Sequence, residues 1–405
     1  MSTKIKVGII GFGSRGYSFA LPLTGSAFEK KVELTAIYDS SPSKVQFARE
    51  WLENVSPKTL VLDEITDFLR LDMDVVMVCT PQAVHAQNAC AVLAAGKNVF
   101  IEKPLARTVE ECDQILDAKK ASGKEVFMGF NLRHNTVCAK IKEMISQGMI
   151  GKPQHIICTD FYSGGYTYFR RWHRMSANSG GLMVEKGCHS LDLINWYMDS
   201  EPVKVSAFGG LDKFKKLPDA GTHCSHCQLS ETCKYFMDKE LIAIEVSRNT
   251  NLNKQYVLGD DDIDVCVFNS EKDTFDNHTA IVEYANGCRA TYIESFTSSV
   301  RAKSGRQFVI NGMDGQLWVS LNEHKIEYFP EKVCNTDKES PSVTYHLPAD
   351  AGSHGGADNH MLNYILRCLT GKHKNEEMRP EAGRRAILVA TAIQKAAKEN
   401  QIISL

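Results

Sequence analysis

No stretch of this 405-residue chain reaches the 18 or more consecutive apolar residues that a membrane span needs. No charge of one sign dominates either. The 47 Lys and Arg stand against 49 Asp and Glu, a net −2, so nothing favours nucleic acid or an anionic membrane as partner. No apolar leader precedes the first strand pattern, which begins by about Ile5, so a signal peptide is not expected. Internal repeats and low-complexity tracts are also absent. Cysteine is plentiful, but the count of 13 is odd. Cys79, Cys90, Cys138, Cys158 and Cys266 lie in apolar segments, where a thiol behaves as a small hydrophobe. That pattern predicts a reducing cytoplasm rather than a disulfide framework.

What is present reads as an enzyme of ordinary composition, 43% hydrophobic and 24% charged. At roughly 150 residues per domain the length predicts two or three domains. Residues 1–128 alternate apolar strands ("KIKVGIIG", "VELTAIYD", "DVVMVCT", "NVFIE", "EVFMGF") with helical stretches. Such alternation predicts an α/β, doubly wound parallel sheet with right-handed crossovers. From 129 to 405 the pattern changes. Helix "NTVCAKIKEMISQG" leads to strand "PQHIICTDFYS", then to strands "VKVSAFGG", "DVCVFNS", "HTAIVEYANGCRATYIESFTS", "RQFVINGMDGQLWVSL" and "HKIEYF". Asn286-Gly287, Asn311-Gly312 and Asp314-Gly315 are hairpin signals, so an α+β domain with a mostly antiparallel open sheet is expected. Two helices should end the chain, and residues 218–240 look like an inserted, cysteine-rich loop.

"VGIIGFGSRGYSFA" carries Gly11, Phe12, Gly13, Ser14, Arg15 and Gly16, a G-x-G-x-x-G that follows a strand and opens a helix. In that context the glycines permit a tight turn, and the helix N-terminus faces a pyrophosphate. Asp39 ends the second strand, 23 residues after Gly16. A carboxylate there accepts ribose hydroxyls and repels a 2′-phosphate, which favours NAD over NADP.

The segment "CTPQAVHAQNACAVLAAGKNVFIEKPLARTVEE" resembles the glucose–fructose oxidoreductase / inositol dehydrogenase (Gfo/Idh/MocA) family. Thr80-Pro81, His85, Gly96-Lys97 and Glu102-Lys103-Pro104 carry the resemblance, which continues through "MGFNLRHN", "SGGLMVEKGCHSLDLINW" and "GSHGGADNH". It implies a Rossmann domain followed by an α/β domain whose open sheet makes a dimer or tetramer contact. It implies NAD(P)-dependent chemistry on a sugar, cyclitol or related polyol. Thr80, Pro81, His85 and Glu102 then belong with the cofactor-binding residues, Lys103 lies by the nicotinamide ribose and substrate hydroxyl, and His189 is the acid/base. Family members usually carry Asp four residues before that His; here Glu185 stands there, with Lys186 next to it.

On an α-helix, residues 185, 186 and 189 share one face. Oxidation of an alcohol needs a base within hydrogen-bond reach, which His189 suits, with Glu185 or Asp192 to orient it and Lys186 and Lys103 to lower the hydroxyl pKa. The loop "YSGGYTYFRRWHRMSANSGG" offers Tyr166, Arg171 and Trp172 as sugar contacts, with Arg133 as a further candidate. His354 and Asp358 resemble a tail segment that approaches substrate. Cys224-x-x-Cys227, with Cys233 and His223, is a candidate structural zinc site, free thiols and a disulfide being the alternatives. Three functions stay open: an NAD-dependent dehydrogenase, an NAD-retaining glycosidase that oxidises transiently, and a non-catalytic NAD-binding sensor.

Overall fold

The computed structural model describes residues 4–241, 264–298, 305–331, 342–348 and 355–405. The first sheet is built from β1 (Ile5–Ile10), β2 (Val32–Tyr38), β3 (Leu60–Leu62), β4 (Val75–Val78), β5 (Asn98–Glu102) and β6 (Val126–Gly129). Their order is β3-β2-β1-β4-β5-β6, and every neighbouring pair is parallel. Helices cover both faces, which is why β4 and β6 are buried along their whole length. The order reverses direction between β1 and β4, the crevice where such sheets bind ligands. The alternation of strands predicts this sheet except at β3. That strand has three residues, too few to show a period, and the short helix Ile65–Arg70 after it was equally unsigned.

The second sheet is mixed. It contains β7 (Pro153–Phe161), β8 (Pro202–Gly210), β9 (Asn277–Tyr284), β10 (Arg289–Ser295), β11 (Gly305–Gly312), β12 (Gly315–Ser320), β13 (Lys325–Pro330), β14 (Val343–His346) and β15 (Ile403–Ser404). The order is β14-β13-β12-β11-β7-β10-β9-β8-β15, with β7 and β10 the parallel pair. Hairpins form at Asn286-Gly287 and Asp314-Gly315, as their turn residues predict, whereas the expected turn at Asn311-Gly312 is not one: both residues end β11, with a register shift against β7 between them. One face packs under helices Thr136–Ser146, Cys188–Met198 and Pro380–Glu399, burying Ile156, Cys158, Ala290, Tyr292 and Phe308. The other face is open and apolar, exposing Phe208, Ile281, Ile157 and Trp318.

Two features depart from the sequence pattern. "DVCVFNS" does not form a strand. Val265 makes one isolated antiparallel bridge to His223, and Ser270 N–H donates back to Cys266 C=O at 3.1 Å, closing a turn. The tail also crosses back to the first sheet. Helix Ala357–Leu369 buries Met361, Leu362, Tyr364 and Ile365 in one core with Val7, Ile9, Phe19 and Phe100. Met128 N–H, on β6, donates to Met378 C=O at 2.8 Å. That return brings Asp358 to the glycine-rich loop. No helix among the described residues is long and apolar enough to cross a membrane.

Candidate active site

The cofactor end follows from local chemistry. Gly11 has φ +90°, a conformation that penalises any side chain, and a Cβ on Gly16 would run into the Gly11 carbonyl oxygen. Nothing lies within 4 Å of where a Cβ on Gly13 would be, so the backbone there is open to an approaching group. Helix Ser14–Thr24 begins at Gly13 without a side-chain cap, leaving its N–H dipoles available to an anion. Asp39 anchors this turn: Oδ2 accepts Phe12 N–H at 2.6 Å and Oδ1 accepts Ser41 N–H at 2.8 Å. These features fit a dinucleotide across the loop.

Arg15 works differently from a phosphate ligand. Its Nε donates to Glu102 Oε1 at 2.8 Å and its Nη1 to Asp358 Oδ2 at 2.9 Å. Asn131 Nδ2 donates to the other Asp358 oxygen at 2.7 Å. Burial opposes the guanidinium charge, but Glu102 and Asp358 outweigh it and raise the Arg15 pKa. The loop, the end of β5 and the C-terminal tail are thus tied by one half-buried cation. His354, the other tail candidate, lies outside the described residues. His85 is a brace as well. It is buried, with Nδ1 2.9 Å from Pro104 O and Nε2 2.8 Å from Thr80 O, and burial holds its pKa below the ordinary value.

Lys103 follows Glu102 directly and precedes a cis peptide bond to Pro104. Its Nζ donates to Glu185 Oε1 at 3.0 Å and to the Glu185 carbonyl at 3.2 Å. Gln82 Nε2 donates to the other Glu185 carboxylate oxygen. Burial pulls the Lys103 pKa down, yet the Glu185 carboxylate, followed by Tyr168, more than reverses it. Burial also pushes the Glu185 carboxyl above its ordinary range, with Lys103 opposing. The pair is therefore held together by mutual charge in a site that disfavours either charge alone. His173 Nε2 stands 4.0 Å from Glu185 Oε1, and burial, then Lys103 and Arg171, lower its pKa to about 3. Tyr168 packs on the His173 ring at 5.1 Å between centroids.

The expected Glu185–His189 contact is replaced. Residues Met183–Gly187 form a π-helical turn, not an α-helical one. The wider turn breaks the i, i+4 alignment, so the Glu185 carboxylate goes to Lys103 and Gln82 rather than to His189. Gly180 and Gly181, with φ +76° and +90°, shape the entry to this turn. His189 is buried in the first turn of helix Cys188–Met198, its ring 6.3 Å from that of Phe130. Lys186 sits 4.5 Å over the Tyr162 ring. Burial, then Arg306, lowers its pKa to about 8, with Asp160 opposing.

Beneath Lys186 runs a charged row that the sequence reading passed over. Arg306, Asp160, Glu294 and His278 are register partners across β11, β7, β10 and β9. Arg306 Nη2 lies 2.9 Å from Asp160 Oδ2, and Arg306 Nε donates to Ser190 Oγ at 2.8 Å. Burial, then the neighbouring Asp160, raises the Glu294 pKa well above its ordinary value. The signal was present: Asp160 continues the inward-facing positions Ile156 and Cys158, where an apolar residue belongs.

The other candidates make contacts of their own. Arg133 and Asp192 hold each other in a buried bidentate pair, at 2.8 and 2.6 Å, and Arg133 also donates to Glu377 O. Both Asp192 oxygens thus accept from Arg133. Tyr166 packs toward Tyr235, Arg171 is exposed, and Trp172 stacks on His173 at 3.8 Å. Cys224, Cys227, Cys233 and His223 line one small cavity. Among the described residues, no three His, Cys, Asp or Glu side chains stand close enough to hold a metal ion as they are. The zinc expectation, with its set of Cys224, Cys227, Cys233 and His223, therefore has no ready coordination sphere.

Comparison with known proteins gives the following. A family model described as an oxidoreductase family, NAD-binding Rossmann fold, matches residues 5–130, and its C-terminal alpha/beta domain matches residues 142–405. YteT of Bacillus subtilis (strain 168), named as an oxidoreductase, is 27% identical over 388 residues, 88% of this chain and 87% of that protein. An alpha-N-acetylgalactosaminidase of Shewanella oneidensis is 32% identical over 180 residues, covering 43% of this chain and 37% of that protein. The solved structure of a levoglucosan dehydrogenase in complex with NADH and levoglucosan superposes with a TM-score of 0.73. It is 18% identical and covers 99% of both chains, a likeness of fold.

Proposed function

The chain belongs to the Gfo/Idh/MocA family of NAD-binding oxidoreductases, and on that premise we propose that it transfers a hydride between NAD and a secondary hydroxyl of a sugar, cyclitol or related polyol. The observation that carries this reading is the buried Lys103–Glu185 pair, one residue beyond the carboxylate that anchors the glycine-rich loop. Phe12, Gly13 and Ser14 would carry the pyrophosphate, Thr80 and Pro81 would line the same crevice, and Asp39 would select NAD over NADP. Bound there, nicotinamide supplies the hydride acceptor or donor. Lys103 keeps its charge, so its ammonium hydrogen-bonds the substrate oxygen and stabilises the developing alkoxide. His189 takes the proton from that hydroxyl, and Lys186 adds positive charge from the other side. Trp172 and Tyr168 offer aromatic faces for ring C–H packing.

A second reading, an NAD-retaining glycosidase, is favoured by Lys186. Oxidising one ring hydroxyl acidifies the adjacent C–H, and an amine whose pKa is lowered to about 8 suits its removal before the leaving group departs. The galactosaminidase relative is consistent with it. The open face of the second sheet, where Ile281, Ile157 and Trp318 share one register row, supports self-assembly through that sheet.

The deciding assay incubates the protein and NAD with free sugars, cyclitols and aryl glycosides, recording NADH absorbance and released aglycone together. Net NADH with a free polyol, falling by about 10²–10⁴-fold in His189→Ala while NAD still binds, is the expected result. Aglycone without net NADH selects the glycosidase. Full activity in His189→Ala removes the assignment of the base.

A further inference from the structure

The inserted segment around residues 218–240 is closed by the stretch that fails to become a strand. Cys224 N–H donates to Asp264 O at 2.8 Å and Cys266 N–H to Thr222 O at 2.7 Å, on either side of the His223–Val265 bridge. This clasp brings a fourth cysteine, Cys266, to Cys224, Cys227 and Cys233. All four line one cavity of about 10 Å³ with an apolar wall of Leu229, Phe236 and Phe268. That is room for a single water-sized sphere, too little for an iron–sulfur cluster.

Each sulfur already accepts an N–H. Gly221 N donates to Cys227 Sγ at 3.3 Å, Tyr235 N to Cys233 Sγ at 3.4 Å, Asn269 N to Cys266 Sγ at 3.4 Å and Arg170 Nη1 to Cys224 Sγ at 3.4 Å. A neutral thiol is a poor acceptor, whereas a thiolate accepts charge-assisted hydrogen bonds. Arg170 is the independent observation. It is 3% exposed, its Nε has no hydrogen-bond partner, and its other bonds go to the carbonyls of Val265 and Tyr235. Among the described residues no carboxylate pairs with it. Metal-bound thiolates would give this buried guanidinium the anionic partner it lacks among the described residues.

We propose that Cys224, Cys227, Cys233 and Cys266 close around one zinc-type divalent ion, a structural tetrathiolate site with Arg170 as its buried countercharge. The sulfurs line the cavity without meeting at coordination distance as they stand, so the ion would have to draw them together. Binding releases the thiol protons and leaves a net −2 centre beside Arg170. His223 is not a ligand in this set; its Nδ1 lies 3.0 Å from Thr222 Oγ1. Because Arg170 directly precedes Arg171, Trp172 and His173, the ion would hold in place the loop whose His173 faces Glu185.

The test is elemental analysis of the full chain purified without chelators, combined with thiol titration before and after a zinc chelator. One zinc per chain is expected. Cys266→Ser loses it, Arg170→Leu retains it with about 10–100-fold weaker affinity, and Cys90→Ser, outside the cavity, retains it fully. A metal-free chain with all four thiols titrating freely overturns the proposal, as does a Cys224–Cys227 disulfide found by mass spectrometry. Should Cys266→Ser fail to fold, cobalt(II) substitution of the wild type decides. Strong thiolate-to-cobalt charge-transfer absorption supports four sulfur ligands, and its absence refutes them. None of these readouts depends on turnover, so they stand or fall apart from the hydride-transfer reading.

Discussion

Lys186 lies in the π-helical turn and Lys103 is bonded to it through Glu185, yet the pKa values of the two ammonium groups shift in opposite directions. Burial pushes both toward the neutral amine. Lys103 has the Glu185 carboxylate at 3.0 Å, shared with Gln82, and the charge wins. Lys186 faces Asp160 and Glu294, but Arg306 already occupies Asp160, and Glu294 is pushed toward its neutral acid. Two lysines in one site thus differ by what their neighbours have left to give. One is a fixed charge and the other titrates close to neutral pH, the division of labour that acid–base chemistry on a hydroxyl requires.

The largest effect should come from removing the fixed charge. Lys103→Met is expected to lower turnover by about 10²–10⁴-fold with NAD binding retained. It also strands the Glu185 carboxylate, at a cost of about 3–5 kcal/mol in unfolding free energy. Adding Glu185→Gln should restore most of the stability and none of the turnover, checked by urea titration beside the kinetic assay. Turnover returning with stability would reduce Lys103 to a structural role and erase the contrast with Lys186.

The titrating lysine is probed through pH. Its pKa falls from 10.5 to about 8 on folding, so the unfolded chain binds more protons between those values. Stability contributed at this position therefore rises as pH climbs from 8 to 10.5, and below pH 8 the buried ammonium is a burden. Lys186→Gln should be more stable than the wild type at pH 7, with the difference closing toward pH 10.5. The limb near pH 8 in kcat/KM should vanish with it, a several-fold effect. A limb that persists unchanged assigns the titration to a group other than Lys186.

What was legible in the sequence divides along similar lines. The glycine-rich loop, Asp39 and two of the three hairpin turns depend on backbone conformation set within a few residues, and they formed where their residue types required; Asn311-Gly312 instead ends β11. The long-range partners did not announce themselves. Arg15 reaches Glu102 and Asp358, 87 and 343 positions away, and no local spacing encodes that. The Glu185–His189 pairing failed because the spacing argument assumed 3.6 residues per turn, while Met183–Gly187 is wound wider. "DVCVFNS" has the apolar content of a strand, yet its neighbours offer Cys266 a turn against Thr222 instead of a ladder. Asp160, at the inward end of an alternating strand, was readable and was passed over.

The smallest effect on turnover is expected at the cofactor loop, where the change falls on dinucleotide affinity. Asp39 spends both oxygens on the backbone, at Phe12 and Ser41, before any ribose arrives. Each carboxylate oxygen keeps a second lone pair, so holding the loop and accepting a ribose hydroxyl are compatible. Asp39→Ala should then weaken NAD by about tenfold, roughly the worth of one charged hydrogen bond, and weaken NADP less, because the repulsion of a 2′-phosphate disappears as well. Isothermal titration with both dinucleotides separates the two roles. Equal losses for NAD and NADP would mean that the carboxylate only shapes the loop, and selection of the cofactor would have to come from another residue.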